Sequence, residues 1–146
     1  RWDWNGNISA GSERWEATAM VIRESAEDYL ESILMLQERN GQVRSIDIVN
    51  QLGYSKPSVS IAMKKLRENG YISMAGDGTI TLNDSGMEIA SRVYKRHRVI
   101  TELFVLLGVE RKQAAEDACR VEHDLSQETF SRILEFVQRE QQKRRP

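Results

Sequence analysis

Few residues in this chain have chemistry to offer, and they cluster. Cys119 is the only cysteine and His97 and His123 the only histidines among 146 residues. Cys119, Glu122 and His123 stand at i, i+3 and i+4, so on a helix all three project from one face within about 100° of arc. A thiolate, a carboxylate and an imidazole arranged in this way can close on one divalent cation. Asp28 and Glu31 form a second i, i+3 pair on the polar edge of a first helix, and His97 lies beside the apolar stripe of a long one. Taken singly, each has a plainer reading: a small buried thiol, first-turn acids facing the helix dipole, a histidine at the core edge. Taken together, these candidate ligands can meet at one metal site if their helices pack together.

The elements that must position them follow from periodicity and punctuation. Leu30, Ile33, Leu34 and Gln37 keep helical spacing from Ser25 onward, and Asn40-Gly41 stops the run. A short helix is expected over 46–52 after Ser45 as N-cap, closed by Gly53. Ser55 caps a third helix with Pro57 in its first turn, where the missing N–H costs little. That helix carries Val59, Ala62, Met63 and Leu66 on one side and stops at Asn69-Gly70. Alternating runs at 71–74 and 79–82 around Ala75-Gly76-Asp77-Gly78 predict a hairpin. Asn83 or Asp84 then caps a long helix with the stripe Ile89, Val93, Arg96/His97, Ile100, Phe104 and Leu107, closed by Gly108. Two further helices are expected near 111–125 and 127–141.

The resulting fold class is mainly α, a winged helix-turn-helix followed by an all-helical domain. The expected division is a disordered or expression-derived leader at 1–20, a winged helix-turn-helix DNA-binding domain at 21–83, a helical metal-binding domain at 84–142, to which the family resemblance given below adds dimerisation, and a frayed tail at 143–146. All three tryptophans (Trp2, Trp4, Trp15) fall in the leader, and Met20 is a plausible native start.

A helix pair of this kind presents its second helix to a major groove about 12 Å wide. Ser55, Ser58 and Ser60 are short donors there, Pro57 shapes the first turn, and Lys56, Lys64 and Lys65 supply charge. Residues 43–72 are locally basic and residues 110–128 locally acidic, although the whole chain carries only −1. One region suits an anion and the other gathers cations. The hairpin tip offers Asp77 and no Lys or Arg, so it should add little to phosphate binding.

Composition excludes other classes. Hydrophobic residues make up 40% and charged residues 29%, ordinary for a globular domain. No apolar run approaches the roughly 20 residues needed to span a bilayer. A single cysteine permits no intramolecular disulfide and favours a reducing, cytoplasmic setting. Enzymatic function is not expected: there is no nucleophile elbow, phosphate loop or H-E-x-x-H element, and many protein ligands would leave a metal little room for substrate. A small metallohydrolase using Glu122 as base, a metal-independent winged-helix regulator and a metal-storage protein are the competing readings.

The motifs A-E-D-Y-L-E-S-I at 26–33, S-K-P-S-V-S at 55–60, K-R-H-R at 95–98 and A-C-R-V-E-H-D-L-S at 118–126 resemble the diphtheria toxin repressor / manganese transport regulator family of metal-dependent repressors. The resemblance runs from about Glu24 to Gln141. It implies a cytoplasmic homodimer that binds a double-stranded operator, with metal held between the DNA-binding and dimerisation units and no small organic substrate. Asp28 and Glu31 match the first-helix carboxylates of the manganese branch, where the iron branch carries a methionine at the Asp28 position. His97, Glu122 and His123 match metal ligands, while Cys119 stands where the iron branch has cysteine and the manganese branch glutamate. On this resemblance, a chain ending near residue 146 is expected to lack the SH3-like third domain of longer members, as the manganese branch does. Mn²⁺ is therefore the expected cofactor and Fe²⁺ the alternative, with Zn²⁺ or Co²⁺ able to substitute in vitro. By this resemblance the protein is a manganese-activated repressor of metal-uptake genes, or an iron-activated one. Ile61 stands where relatives often carry a polar base-contacting residue.

Overall fold

A computed structural model describes the backbone of residues 12–146 and the side chains of residues 25–146. The elements run α1 (Ser12–Asn40), α2 (Ser45–Leu52), α3 (Lys56–Glu68), β1 (Ile72–Met74), β2 (Ile80–Leu82), α4 (Asp84–Leu106), α5 (Arg111–Val121) and α6 (Gln127–Lys143). The chain divides into two compact units after Ser91, inside α4.

In the first unit α1 packs against α2, α3 and β2. Tyr29, Leu30, Ile33, Leu34 and Leu36 are buried on it, together with Ile48 of α2 and Val59, Met63 and Leu66 of α3. Apolar residues at helical spacing thus form the core, as the sequence predicts. The helix begins earlier than expected, at Ser12 rather than near Ser25, so the proposed leader at 1–20 overlaps it. No Gly or Pro interrupts residues 12–40, and once a helix is nucleated each added residue gains a hydrogen bond without a new nucleation cost. Residues 1–11 of that leader, with Trp2 and Trp4, lie outside the described residues.

The short second helix corrects its expected cap. Arg44, not Ser45, is the N-cap residue. An arginine side chain has no acceptor to offer, so Asp47 supplies the reciprocal half of the cap, accepting the Arg44 N–H at 2.9 Å. Gly53 ends α2 in the left-handed region at φ 71°, and its N–H donates to the Val49 carbonyl at 2.9 Å. Ser55 caps α3 as predicted, accepting the Ser58 N–H at 3.3 Å.

The hairpin is antiparallel, pairing Ile72 with Leu82, Ser73 with Thr81 and Met74 with Ile80. It is held to the α1–α2 connection by the Ile80 N–H, which donates to the Val43 carbonyl at 2.8 Å. Asn83, the residue before α4, donates its amide to Gly70 O at 3.0 Å and accepts from Ser73 Oγ at 2.7 Å, and Ser85 of α4 donates its hydroxyl to Gly70 O at 3.1 Å. Gly86 then packs the first turn of α4 onto Tyr71; a Cβ there would overlap the Tyr71 carbonyl. Those contacts place the start of α4 with the first compact unit, which extends to Ser91.

The second unit consists of the rest of α4 with α5 and α6. Val93, Arg96, His97 and Ile100 of the predicted stripe are buried, with Ala114, Ala118, Phe130 and Val137. Leu107 departs from the expectation and is 69% exposed. Phe104, still inside α4, is only partly buried, so the stripe leaves the core before the helix ends at Leu106. Among the described residues, no helix is long and apolar enough to cross a membrane.

Candidate metal centre and nucleic-acid interface

Three of the sequence-predicted ligands converge in the second unit. His97 is delivered by the buried face of α4, Cys119 by the last turns of α5, and Glu122 by the residue that caps α5. The Nδ1 atom of His97 lies 3.0 Å from Oε2 of Glu122 and 3.5 Å from Sγ of Cys119. One ligand atom from each falls within 4.8 Å of the other two. Donor atoms bound at about 2.0–2.3 Å to one shared ion cannot lie more than about 4.5 Å apart, so side-chain torsion alone can close this set. Glu122 is 1% exposed, whereas Cys119 is solvent-exposed. A buried carboxylate and a thiol turned toward one imidazole form a donor set that fits a divalent cation.

Sequence spacing placed Cys119, Glu122 and His123 on one helix. The structure corrects this: α5 ends at Val121, and Glu122 is its cap, still in helical conformation at φ −59°, ψ −30°. Glu122 therefore keeps its helical projection beside Cys119, and His123 lies in the turn that follows. The His123 Nε2 atom is 3.5 Å from Oε1 of Glu122, with the imidazole side chain only 7% exposed. Asp28 and Glu31 are carried on α1 in the first unit, Asp28 half-buried and Glu31 buried at 4% exposure. Burial holds the phenol of the neighbouring Tyr29 above the ordinary tyrosine range, with Tyr54 and Asp28 adding to the shift.

Two supporting residues were not singled out from sequence. Arg96 Nη1 donates to the backbone carbonyls of Glu122 at 3.2 Å and Leu125 at 2.7 Å, and Nη2 donates to Gln127 Oε1 at 3.2 Å. Its guanidinium also sits over the Phe130 ring, 5.2 Å from the centroid. Thr101 Oγ1 donates to the His97 carbonyl at 2.7 Å. An arginine inside an apolar stripe was the available signal for Arg96, because a guanidinium is buried at a core position only when its donors are used.

The proposed DNA-contacting residues lie on or just before α3 in the first unit. Ser55, Lys56, Pro57, Ser58, Ser60, Lys64 and Lys65 are all exposed. Ser55 also caps the helix. Its hydroxyl oxygen accepts the Ser58 N–H at 3.3 Å and lies 2.8 Å from Ser58 Oγ, a cap that leaves the exposed hydroxyl proton able to turn outward. Lys64 Nζ is 3.9 Å from the exposed carboxylate of Glu68, a pair too solvated to withdraw the lysine from a phosphate. At the hairpin tip, Asp77 accepts the Thr79 N–H at 3.0 Å and lies 3.9 Å from Arg44. The Thr79 N–H, assisted by Arg44, holds this carboxyl below the ordinary aspartate range.

Comparison with known proteins covers both units. The iron dependent repressor N-terminal DNA-binding domain matches residues 22–80, and the iron dependent repressor metal-binding and dimerisation domain matches residues 83–144. An HTH-type transcriptional regulator of Methanocaldococcus jannaschii is 34% identical over 120 residues, covering 81% of this chain and 96% of that protein. The transcriptional regulator MntR of Salmonella typhimurium is 34% identical over 116 residues, 80% of this chain and 74% of that one. Among solved structures, a manganese-dependent transcriptional repressor in complex with manganese matches with a TM-score of 0.71 at 30% identity, over 77% of this chain and 52% of that chain. The IdeR protein of T. acidophilum matches with a TM-score of 0.69 at 27% identity, over 75% and 52%. This chain thus spans about half the length of those solved chains. The relatives are named as regulators and repressors, not as enzymes.

Proposed function

Because this chain belongs to the diphtheria toxin repressor / manganese transport regulator family of metal-dependent transcriptional repressors, we propose that it is a manganese-activated repressor of metal-uptake genes. The observation that carries the metal half of this reading is the convergence of His97, Cys119 and Glu122 within 4.8 Å. A bound divalent cation supplies the positive charge that lets a thiolate and a carboxylate share one site. The chain's own residues do the rest. His97 presents Nδ1, Glu122 turns a buried carboxylate toward it, and Arg96 fixes the backbone from which that carboxylate projects. Asp28, Glu31 and His123 enter the ligand set on their sequence positions and on the resemblance.

The DNA half rests on α3, whose exposed Lys56, Lys64 and Lys65 attract phosphate while Ser58 and Ser60 offer short donors to backbone or base edges. Exposed Leu107 and Phe136 are the apolar side chains of the second unit available to a second copy in a homodimer. A two-copy reader would address a pseudo-palindromic operator in the cytoplasm.

Iron is the second reading, and one observation favours it: Cys119 brings sulfur to within 3.5 Å of His97. Thiolate improves the standing of Fe²⁺, Co²⁺ and Zn²⁺ against Mn²⁺. Fluorescence anisotropy on a library of two-fold symmetric duplexes, run with Mn²⁺, Fe²⁺, Zn²⁺ and chelator in parallel, tests both. Binding that appears with Mn²⁺ and is lost on chelation supports the proposal. Stronger activation by Fe²⁺ selects the second reading, and binding indifferent to metal overturns both.

A further inference from the structure

The outward face of α3 carries one residue that neither its stability nor its solubility explains. Ile61 is 57% exposed, one of the most exposed large hydrophobic side chains described. Val59, Met63 and Leu66 are the buried side chains of this helix. At 100° per residue, Ile61 lies about 165° round from the centre of that buried face, with Pro57 and Lys64 beside it. It therefore points directly away from the core. A β-branched residue in mid-helix also gives up some helix propensity relative to a straight-chain one, so an isoleucine here serves neither the helix nor the surface.

Resting on the DNA-binding reading above, we propose that Ile61 is a specificity-determining residue that reads the 5-methyl group of a thymine in the major groove. The surrounding surface is polar, with Ser58, Ser60, Lys64 and Lys65 all exposed, and those groups can be satisfied by phosphates or by the polar edge of any base pair. An isoleucine side chain has no hydrogen bond to give. In the major groove the thymine methyl is the one apolar group that distinguishes a base, and apolar side chains are its matching readers. Ile61 at the centre of the face, with donors around it, is a methyl-sized contact framed by positioning contacts.

The test removes only that methyl. Duplexes are selected from a random library by the full chain with Mn²⁺, and each thymine of the selected sequence is replaced in turn by deoxyuridine. Burial of a single methyl predicts an affinity loss of about four-fold at the contacted thymine. Ile61→Ala, which removes an exposed side chain and should leave the circular dichroism spectrum and thermal midpoint unchanged, is expected to bind more weakly and to be indifferent to deoxyuridine at that position. Wild type that tolerates deoxyuridine everywhere, an Ile61→Ala variant as methyl-sensitive as wild type, or selected duplexes with no shared thymine would each overturn the assignment while leaving DNA binding intact. Failure to enrich any duplex with Mn²⁺, Fe²⁺ or Zn²⁺, or with chelator, would instead remove the DNA-binding reading, and this assignment with it.

Discussion

Arg96 and Glu122 meet through the backbone: the guanidinium donates to the Glu122 carbonyl at 3.2 Å, while the next residue on α4, His97, meets the carboxylate of the same glutamate at 3.0 Å. Two consecutive α4 residues thus hold the main chain and the side chain of one candidate ligand. Arg96 is 8% exposed, and its other donors serve Leu125 and Gln127. Replacing it with alanine deprives two carbonyls of a charged donor and uncovers Phe130, at an expected cost of about 3 kcal/mol. Arg96→Lys should recover only part of this, since an ammonium cannot reproduce a planar fork. Urea unfolding midpoints of the two variants check the order; equal, wild-type-like midpoints would contradict the role.

The ligand cluster predicts a separable effect of two substitutions. Glu122→Gln keeps the shape and a hydrogen bond to His97 but removes the charge, so affinity for Co²⁺ should fall by more than about ten-fold, the scale set by loss of even outer-shell partners. Cys119→Ser should abolish the thiolate-to-cobalt absorption while leaving the apo fold intact, because Cys119 is exposed. It should also move preference toward Mn²⁺, since a hydroxyl is a harder donor. Optical titration with Co²⁺, followed by competition with Mn²⁺, measures both. Retention of the sulfur band in Cys119→Ser would place the metal elsewhere.

Much of this architecture was legible because its signals are local. Ser55, Pro57 and Asn69-Gly70 mark both ends of α3, and the Gly-bearing Ala75–Gly78 turn marks the hairpin. The pairing of Cys119 with Glu122 followed from helical spacing, which survives because the cap residue keeps helical dihedrals. What was not legible depends on backbone geometry or on distant partners. Arg44 as N-cap is set by where Asp47 can reach back, and the early start of α1 by the lack of any breaker. The exposure of Leu107 belongs to the end of a stripe that is already only partly buried at Phe104. Arg96 was visible as an oddity in a stripe, but its carbonyl partners lie 26 and 29 residues away in sequence.

Gly86 provides a test of how α4 is seated on the hairpin. Its first turn approaches Tyr71 so closely that a methyl group would overlap a backbone carbonyl, which cannot rotate away as a side chain can. Gly86→Ala normally favours a helix, yet here it should destabilise by roughly 1–3 kcal/mol, the range for overpacking. Thermal unfolding gives the sign. A stabilised variant would show that the approach relaxes without cost.

Asp77 sets the electrostatics of the hairpin tip and can be separated from the rest by pH and salt. The Thr79 N–H, with Arg44 assisting, lowers its folded-state pKa beneath the ordinary aspartate value. A depressed carboxyl contributes stability above its unfolded pKa, and that contribution is lost as pH falls through the folded value, so the dependence lies in the acid range below about pH 4. Asp77→Asn keeps an acceptor for Thr79 and removes the titration, so the variant should lose this part of the acid sensitivity; carboxyl chemical shifts followed by NMR report the same group directly. The substitution also removes a negative charge from the tip and releases Arg44, whose guanidinium lies 3.9 Å from the carboxylate. If the hairpin approaches DNA as a wing, affinity for a duplex should rise at low ionic strength and the salt dependence should steepen by up to about 0.9 in log–log slope, the value for one added phosphate contact. The two proteins should converge at high salt, where that contact is screened. Identical slopes would show that the tip stays clear of the phosphates and that α3 alone engages the duplex.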